Sequence, residues 1–124
     1  MAKNILIIDD EELVTESIKR LLKKEGYNVT VACNSKEAME YIQTNDFNLI
    51  VSDIRMPEID GVEIIKNIRE YLQQKNKKPI PEILITGYSS DETFKQVQKL
   101  KVADYLYKPF DIHDFLAIVK KNLS

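Results

Sequence analysis

The chain has 124 residues, of which 18 are basic and 20 acidic, for a net charge of −2. That length suits one domain, burying roughly two-thirds of the surface its unfolded form would expose. The scattered basic residues, apart from a short stretch at Lys75–Lys78, argue against a nucleic-acid-binding surface. Cys33 is the only cysteine; it excludes disulfides within the chain and cysteine-based zinc sites, points to the reducing cytosol, and predicts a small buried hydrophobe at that position. The first apolar run, Ile5 to Ile8, is too short for a signal-peptide core or a membrane span, so a soluble protein is expected.

Short apolar runs alternate with longer stretches of helical period. Ile5–Ile8 reads as the first strand. Val14, Ile18, Leu21 and Leu22 then recur at intervals of three and four until Gly26 supplies a stop signal. Val29–Ala32 is the second strand, and Ser35 is predicted to cap a helix carrying Ala38, Met39 and Ile42. Leu49–Ser52 is the third strand. Pro57 and Asp60-Gly61 mark an irregular loop before a helix bearing Val62, Ile65, Ile68 and Leu72. Pro79 and Pro81 precede the fourth strand, Ile83–Ile85. The fourth helix, from about Asp91 to Leu100, is the weakest, and its end carries Lys101-Val102 where glycine would make a better cap. Ala103–Leu106 forms the fifth strand, and Ile112, Phe115, Leu116 and Val119 define the last helix.

Strands and helices in strict alternation imply parallel pairing through right-handed crossovers. The strands are apolar along nearly their whole length, as burial on both faces requires. The expected architecture is therefore α/β, a three-layer, flavodoxin-like, doubly wound sheet of five strands in the order 2-1-3-4-5, with five helices. In that order the topological switch lies between the first and third strands, where ligands bind at the carboxyl ends.

Four apolar runs end in residues suited to phosphoryl transfer: the first in Asp9-Asp10, the third in Asp53, the fourth in Thr86 and the fifth in Lys108. Any one of these aspartates has an ordinary role available, because an aspartate after a strand often caps the next helix. The combination carries more. Carboxylates gathered at one crevice repel unless a cation sits among them, and a hard divalent ion such as Mg2+ suits the set. One carboxylate can serve as a nucleophile that forms an acyl phosphate, with Lys108 and Thr86 stabilising charge on the transferring oxygens.

The segments Ile7-Ile8-Asp9-Asp10-Glu11, Asp53-Ile54-Arg55-Met56-Pro57-Glu58-Ile59-Asp60-Gly61, Ile85-Thr86-Gly87 and Asp104-Tyr105-Leu106-Tyr107-Lys108-Pro109-Phe110 closely resemble the receiver domain of two-component response regulators. The resemblance covers the whole chain, so residues 1–124 are expected to be a single receiver domain. It implies that Asp53 is the phosphoacceptor, charged by a sensor histidine kinase or a histidine phosphotransfer protein. It further implies Mg2+ as cofactor, with Asp10 as direct ligand, Asp9 holding the ion partly through water, and Asp53 and the Arg55 backbone carbonyl completing the set. Thr86 and Lys108 match the groups that close on the phosphoryl oxygens. Tyr105 matches the aromatic that swings inward when Thr86 moves, and strand packing is its ordinary alternative. Output is expected through the face of the fourth helix, fifth strand and fifth helix, toward a partner protein or effector domain. The resemblance also implies a cis Lys108–Pro109 peptide. Arg55 and Tyr88 would flank the path of a hydrolytic water and slow loss of the phosphoryl group.

The enzyme rival is a phosphohydrolase of the haloacid dehalogenase type. That family wants Asp-x-Asp after the first strand, whereas Asp9 and Asp10 are adjacent, and it usually adds a cap domain. A flavin carrier would need a polar phosphate loop where Asp9-Asp10-Glu11-Glu12 stands. An interaction module that has lost phosphorylation is opposed by the intact constellation. With glycine only at positions 26, 61 and 87 there is no nucleotide loop, and His113, the sole histidine, reads as a surface residue.

Overall fold

The computed structural model describes residues 2–54, 61–86, 95 and 98–123. Its strands are β1 (Asn4–Ile8), β2 (Asn28–Ala32), β3 (Leu49–Asp53), β4 (Glu82–Thr86) and β5 (Asp104–Tyr107). Its helices are α1 (Glu12–Lys24), α2 (Ser35–Thr44), α3 (Gly61–Gln74) and a C-terminal helix (Ile112–Leu123). Lys95 and residues 98–100 are also helical, at the place of the fourth predicted helix; the rest of the expected span from Asp91 lies outside the described residues.

All neighbouring strands pair in parallel, in the order β2-β1-β3-β4-β5. The two-residue period of the strands divides the core in two. Ile5 and Ile7 of β1, Leu49 and Val51 of β3, and Ile83 and Ile85 of β4 pack on one face with Ile18 and Leu22 of α1 and Phe115 and Val119 of the C-terminal helix. Leu6, Ile8, Ile50 and Leu84 pack on the other with Ala38 and Ile42 of α2 and Ile65 and Ile68 of α3. This is why the strands read as unbroken apolar runs. Each such side chain, taken fully out of water, contributes about 1.5–3 kcal/mol.

The turns show where local chemistry differs from the sequence reading. Asn34, not Ser35, caps α2: its side chain accepts from the Glu37 N–H at 2.9 Å, and Ser35 is the first helical residue. Asn and Ser are about equally good caps, so adjacency alone could not choose between them. The Glu37 carboxylate in turn accepts from the Cys33 N–H at 2.9 Å. Cys33 is exposed, contrary to the burial expected of it. It stands one residue beyond β2, in the turn that this pair of bonds fixes, and so outside the alternation that buries Ala32. Gly26 ends α1 with φ +94°, as its stop signal implies. Lys101 takes a φ of +53°, doing without a Cβ-free residue the work expected of a glycine.

Candidate functional site

β1 lies between β2 and β3, so the chain winds in opposite directions from the β1–β3 pair, and that pair opens the crevice. Register aligns the strand ends: Ile8 pairs with Ser52, Asp53 with Ile85, and Thr86 with Tyr107. The four predicted groups Asp9, Asp53, Thr86 and Lys108 thus stand at or one residue past the carboxyl ends of four strands, β1, β3, β4 and β5. Asp9, Asp53 and Thr86 are buried.

The Lys108 ammonium donates to Asp53 Oδ2 at 2.7 Å and lies 3.6 Å from Glu11 Oε1. Burial pulls the Lys108 ammonium downward, but the Asp53 hydrogen bond and charge, together with Asp9 and Glu11, outweigh it and hold the group above its ordinary value. Lys108 is placed by its own backbone, whose N–H donates to the Thr86 carbonyl at 2.8 Å, and the Lys108–Pro109 peptide is cis. Asp9 Oδ1 accepts from the Glu11 N–H at 2.9 Å. Its Oδ2 is buried with no hydrogen-bond partner among the described residues. Burial, opposed by that N–H and by Lys108 and reinforced by Asp53 and Glu11, raises the Asp9 carboxyl from 3.8 to about 6.

Carboxylate oxygens of Asp9, Glu11 and Asp53 lie within 4.8 Å of one another. Three acids with one orphaned buried oxygen form an all-oxygen donor set, and it fits a hard divalent cation such as Mg2+. Asp10 is exposed and outside this group, whereas Glu11, which the sequence reading did not assign, is inside it. The signal available for Glu11 was its place at the N-cap of α1, where its backbone is extended and its side chain caps nothing. Arg55 and Tyr88 lie outside the described residues. Tyr105 is half-buried, packed against the core beside α3, and His113 is exposed as expected.

Gly61 was read only as a loop marker, and the structure makes it part of the site's frame. Its N–H donates to the Ile54 carbonyl at 2.6 Å. A Cβ at this position would overlap the Asp53 carbonyl oxygen and stand 2.8 Å from the Ile54 Cα. Only glycine lets α3 begin this close to the residue after β3.

A doubly wound parallel sheet with acids and a lysine at its switch point defines a class of phosphoryl-transfer and signalling folds. Within it, residues 5–120 match the family described as the response regulator receiver domain, and the chain belongs to that family. It is 36% identical to the transcriptional regulatory protein CrdR of Helicobacter pylori, over 98% of this chain and 55% of that protein. It is 37% identical to the alkaline phosphatase synthesis transcriptional regulatory protein PhoP of Bacillus subtilis, over 99% of this chain and 49% of that protein. The chain thus spans about half the length of these curated relatives. Among solved structures, a CheY-like receiver domain protein of Methanospirillum hungatei superposes with a TM-score of 0.88 at 30% identity, over 99% of this chain and 94% of that one. The chemotaxis protein CheY4 of Vibrio cholerae superposes with a TM-score of 0.86 at 27% identity, over 99% of this chain and all of that one. The chain is a two-component signalling switch module, and the phosphohydrolase reading is not favoured. No helix among the described residues is long and apolar enough to cross a membrane.

Proposed function

We propose that Asp53 accepts a phosphoryl group from the phosphohistidine of a sensor kinase or phosphotransfer protein, in a Mg2+-dependent reaction. A carboxylate oxygen of Asp53 forms the new bond to phosphorus while the phosphorus–nitrogen bond breaks, and the leaving imidazole nitrogen takes up a proton. The observation that carries this reading is the buried Asp53 carboxylate held at 2.7 Å by Lys108, beside an acid whose second oxygen is unpartnered. Asp9, Asp53 and Glu11 would hold the ion, with Asp10 and the Arg55 carbonyl as the further ligands that family membership suggests. Mg2+, when bound, neutralises the carboxylates and the incoming phosphoryl oxygens.

Lys108 orients the Asp53 carboxylate and is placed to follow the charge as it moves onto the phosphoryl oxygens. Thr86, at the end of β4, donates its hydroxyl to the same oxygens. Its movement frees space for the Tyr105 ring and biases one of two packings of the face formed by the helical segment before β5, β5 itself and the C-terminal helix. That face is the proposed route to an output partner or effector domain, with residues 1–124 acting as one receiver unit in the cytoplasm.

An apolar groove between α1 and the C-terminal helix supports docking of the phosphoryl donor. Leu13 is 87% and Ile112 53% exposed on its rim, over a floor that includes Ile18 and Phe115. Leu13 follows Glu11 by two residues and Ile112 follows Lys108 by four, so the groove adjoins the acids. The test is incubation with acetyl phosphate and Mg2+ followed by intact mass measurement. A single phosphoryl addition, absent in Asp53→Asn and absent with chelator, is expected. Equal labelling of the variant would overturn the assignment.

A further inference from the structure

A cavity lies at the other end of the sheet. It is about 940 Å3 and opens between the end of α3, the lead into β4 and the turn before β5. Glu82 on its wall is in register with Ile50, three residues from Asp53 and so about 10 Å along the strand at roughly 3.3 Å per residue. Nothing in the phosphoryl-transfer reading uses it.

Its frame is a part-buried clamp. Glu82, at the start of β4, is buried, and both of its carboxylate oxygens accept from Arg69 of α3, Oε2 from Nε at 2.9 Å and Oε1 from Nη2 at 2.5 Å. The remaining Arg69 nitrogen, Nη1, donates to the Leu100 carbonyl at 2.6 Å. One guanidinium therefore joins the three walls of the cavity, and its charge is already matched by Glu82. The floor is apolar, with Leu72, Ile80 and Leu100 in it. The rim carries Lys77, Lys99 and Lys101. Lys77 lies 5.8 Å from the centroid of the Tyr71 ring and 3.8 Å from the exposed Asp46, and the other two have no ion pair among the described residues. A chain of net charge −2 thus concentrates a surplus of three positive charges around one apolar hollow.

We propose that this cavity binds a small organic anion with an apolar body, such as an aromatic or branched carboxylate or sulfonate. The volume lies in the range of small-molecule sites, about 300–1,000 Å3, and an apolar lining with a few charged groups is their usual composition. Lysine ammoniums are point charges on flexible stems, so they suit an anionic head without demanding one planar geometry. The occupant also touches the Leu100–Lys101 turn, which leads into β5.

The probe is 1-anilinonaphthalene-8-sulfonate, an aromatic sulfonate, titrated into the full chain and followed by fluorescence and by amide resonances. Saturable binding is expected, with shifts at residues 69–82 and 98–103. Lys99→Ala with Lys101→Ala should weaken it about fivefold, the equivalent of roughly 1 kcal/mol of charge interaction, and raised salt should do the same. Lys95→Ala, an exposed helical position off the cavity, should leave it unchanged. No saturable binding overturns the proposal. So do shifts confined to Val14, Leu21 and Phe115 with loss of binding in Leu13→Ser, which would place the probe in the groove beside α1. Because the mapping is done on the unaltered chain, an unfolded lysine variant would not blunt the test.

Discussion

Lys108 stands 2.7 Å from Asp53 and 3.6 Å from Glu11, so a single ammonium compensates two of the three carboxylates that meet at the crevice. The pair joins residues 55 apart in sequence, across two crossovers. In Lys108→Met the acids lose their only described cation, and stability in chelator should fall by about 1–3 kcal/mol, the cost of leaving a buried polar group uncompensated. Mg2+ should recover part of that loss, because an ion binding only the folded state stabilises by mass action. Urea unfolding with chelator and with Mg2+ checks both; a loss of equal size in the two conditions would count against a shared ion site.

Asp9 makes stability depend on pH in the direction opposite to most acids. Its folded pKa is about 6, above the ordinary 3.8. Between these values the folded state holds the proton more tightly, so stability should fall as pH rises from about 4 to 6, by at most roughly 3 kcal/mol in the absence of metal. Above pH 6 the penalty is fully present. Asp9→Asn should flatten this interval and be the more stable protein at pH 7 in chelator. Thermal melts across pH 4 to 8 decide it, and parallel curves for the two proteins would show that Asp9 is not buried as described.

Gly61→Ala tests the close approach of α3 to β3. In an exposed helix the change gains up to about 1 kcal/mol from propensity. Here the added Cβ collides with the Asp53 carbonyl and the Ile54 Cα, so a net loss of roughly 1–3 kcal/mol is expected, as for overpacking. Phosphoryl labelling at Asp53 should slow in the same variant. A gain in melting temperature would refute the contact.

The Arg69–Glu82 clamp should behave asymmetrically. Arg69→Met leaves the buried Glu82 without its cation and should cost about 1–3 kcal/mol, less than for a wholly buried pair because the Arg69 side chain is 38% exposed, whereas Arg69→Met with Glu82→Met should return most of that. Denaturant midpoints of the single and double variants provide the comparison. If the double variant were as unstable as the single, packing around the guanidinium stem, and not the stranded carboxylate, would be the cause.

The order of the sheet, its buried faces and the strand ends that carry Asp9, Asp53, Thr86 and Lys108 were legible in the linear sequence. Apolar period reports burial directly, and a parallel sheet leaves few topologies for five such runs. The choices between neighbours in turns were not legible. Asn34 rather than Ser35 as cap, and Glu11 as a further acid near Asp9 and Asp53, involve residues of similar chemistry one step from those expected; only the backbone direction leaving the strand decides which side chain reaches the cap or the acids. Gly61 and the Arg69–Glu82–Leu100 clamp depended wholly on tertiary structure. A glycine's lack of a side chain matters only once another backbone lies against it. Likewise Arg69 and Glu82 are ordinary charges in sequence, 13 residues apart, and become a part-buried pair only when α3 packs over the start of β4. Periodicity is a property of each segment alone, whereas these contacts belong to the relation between segments.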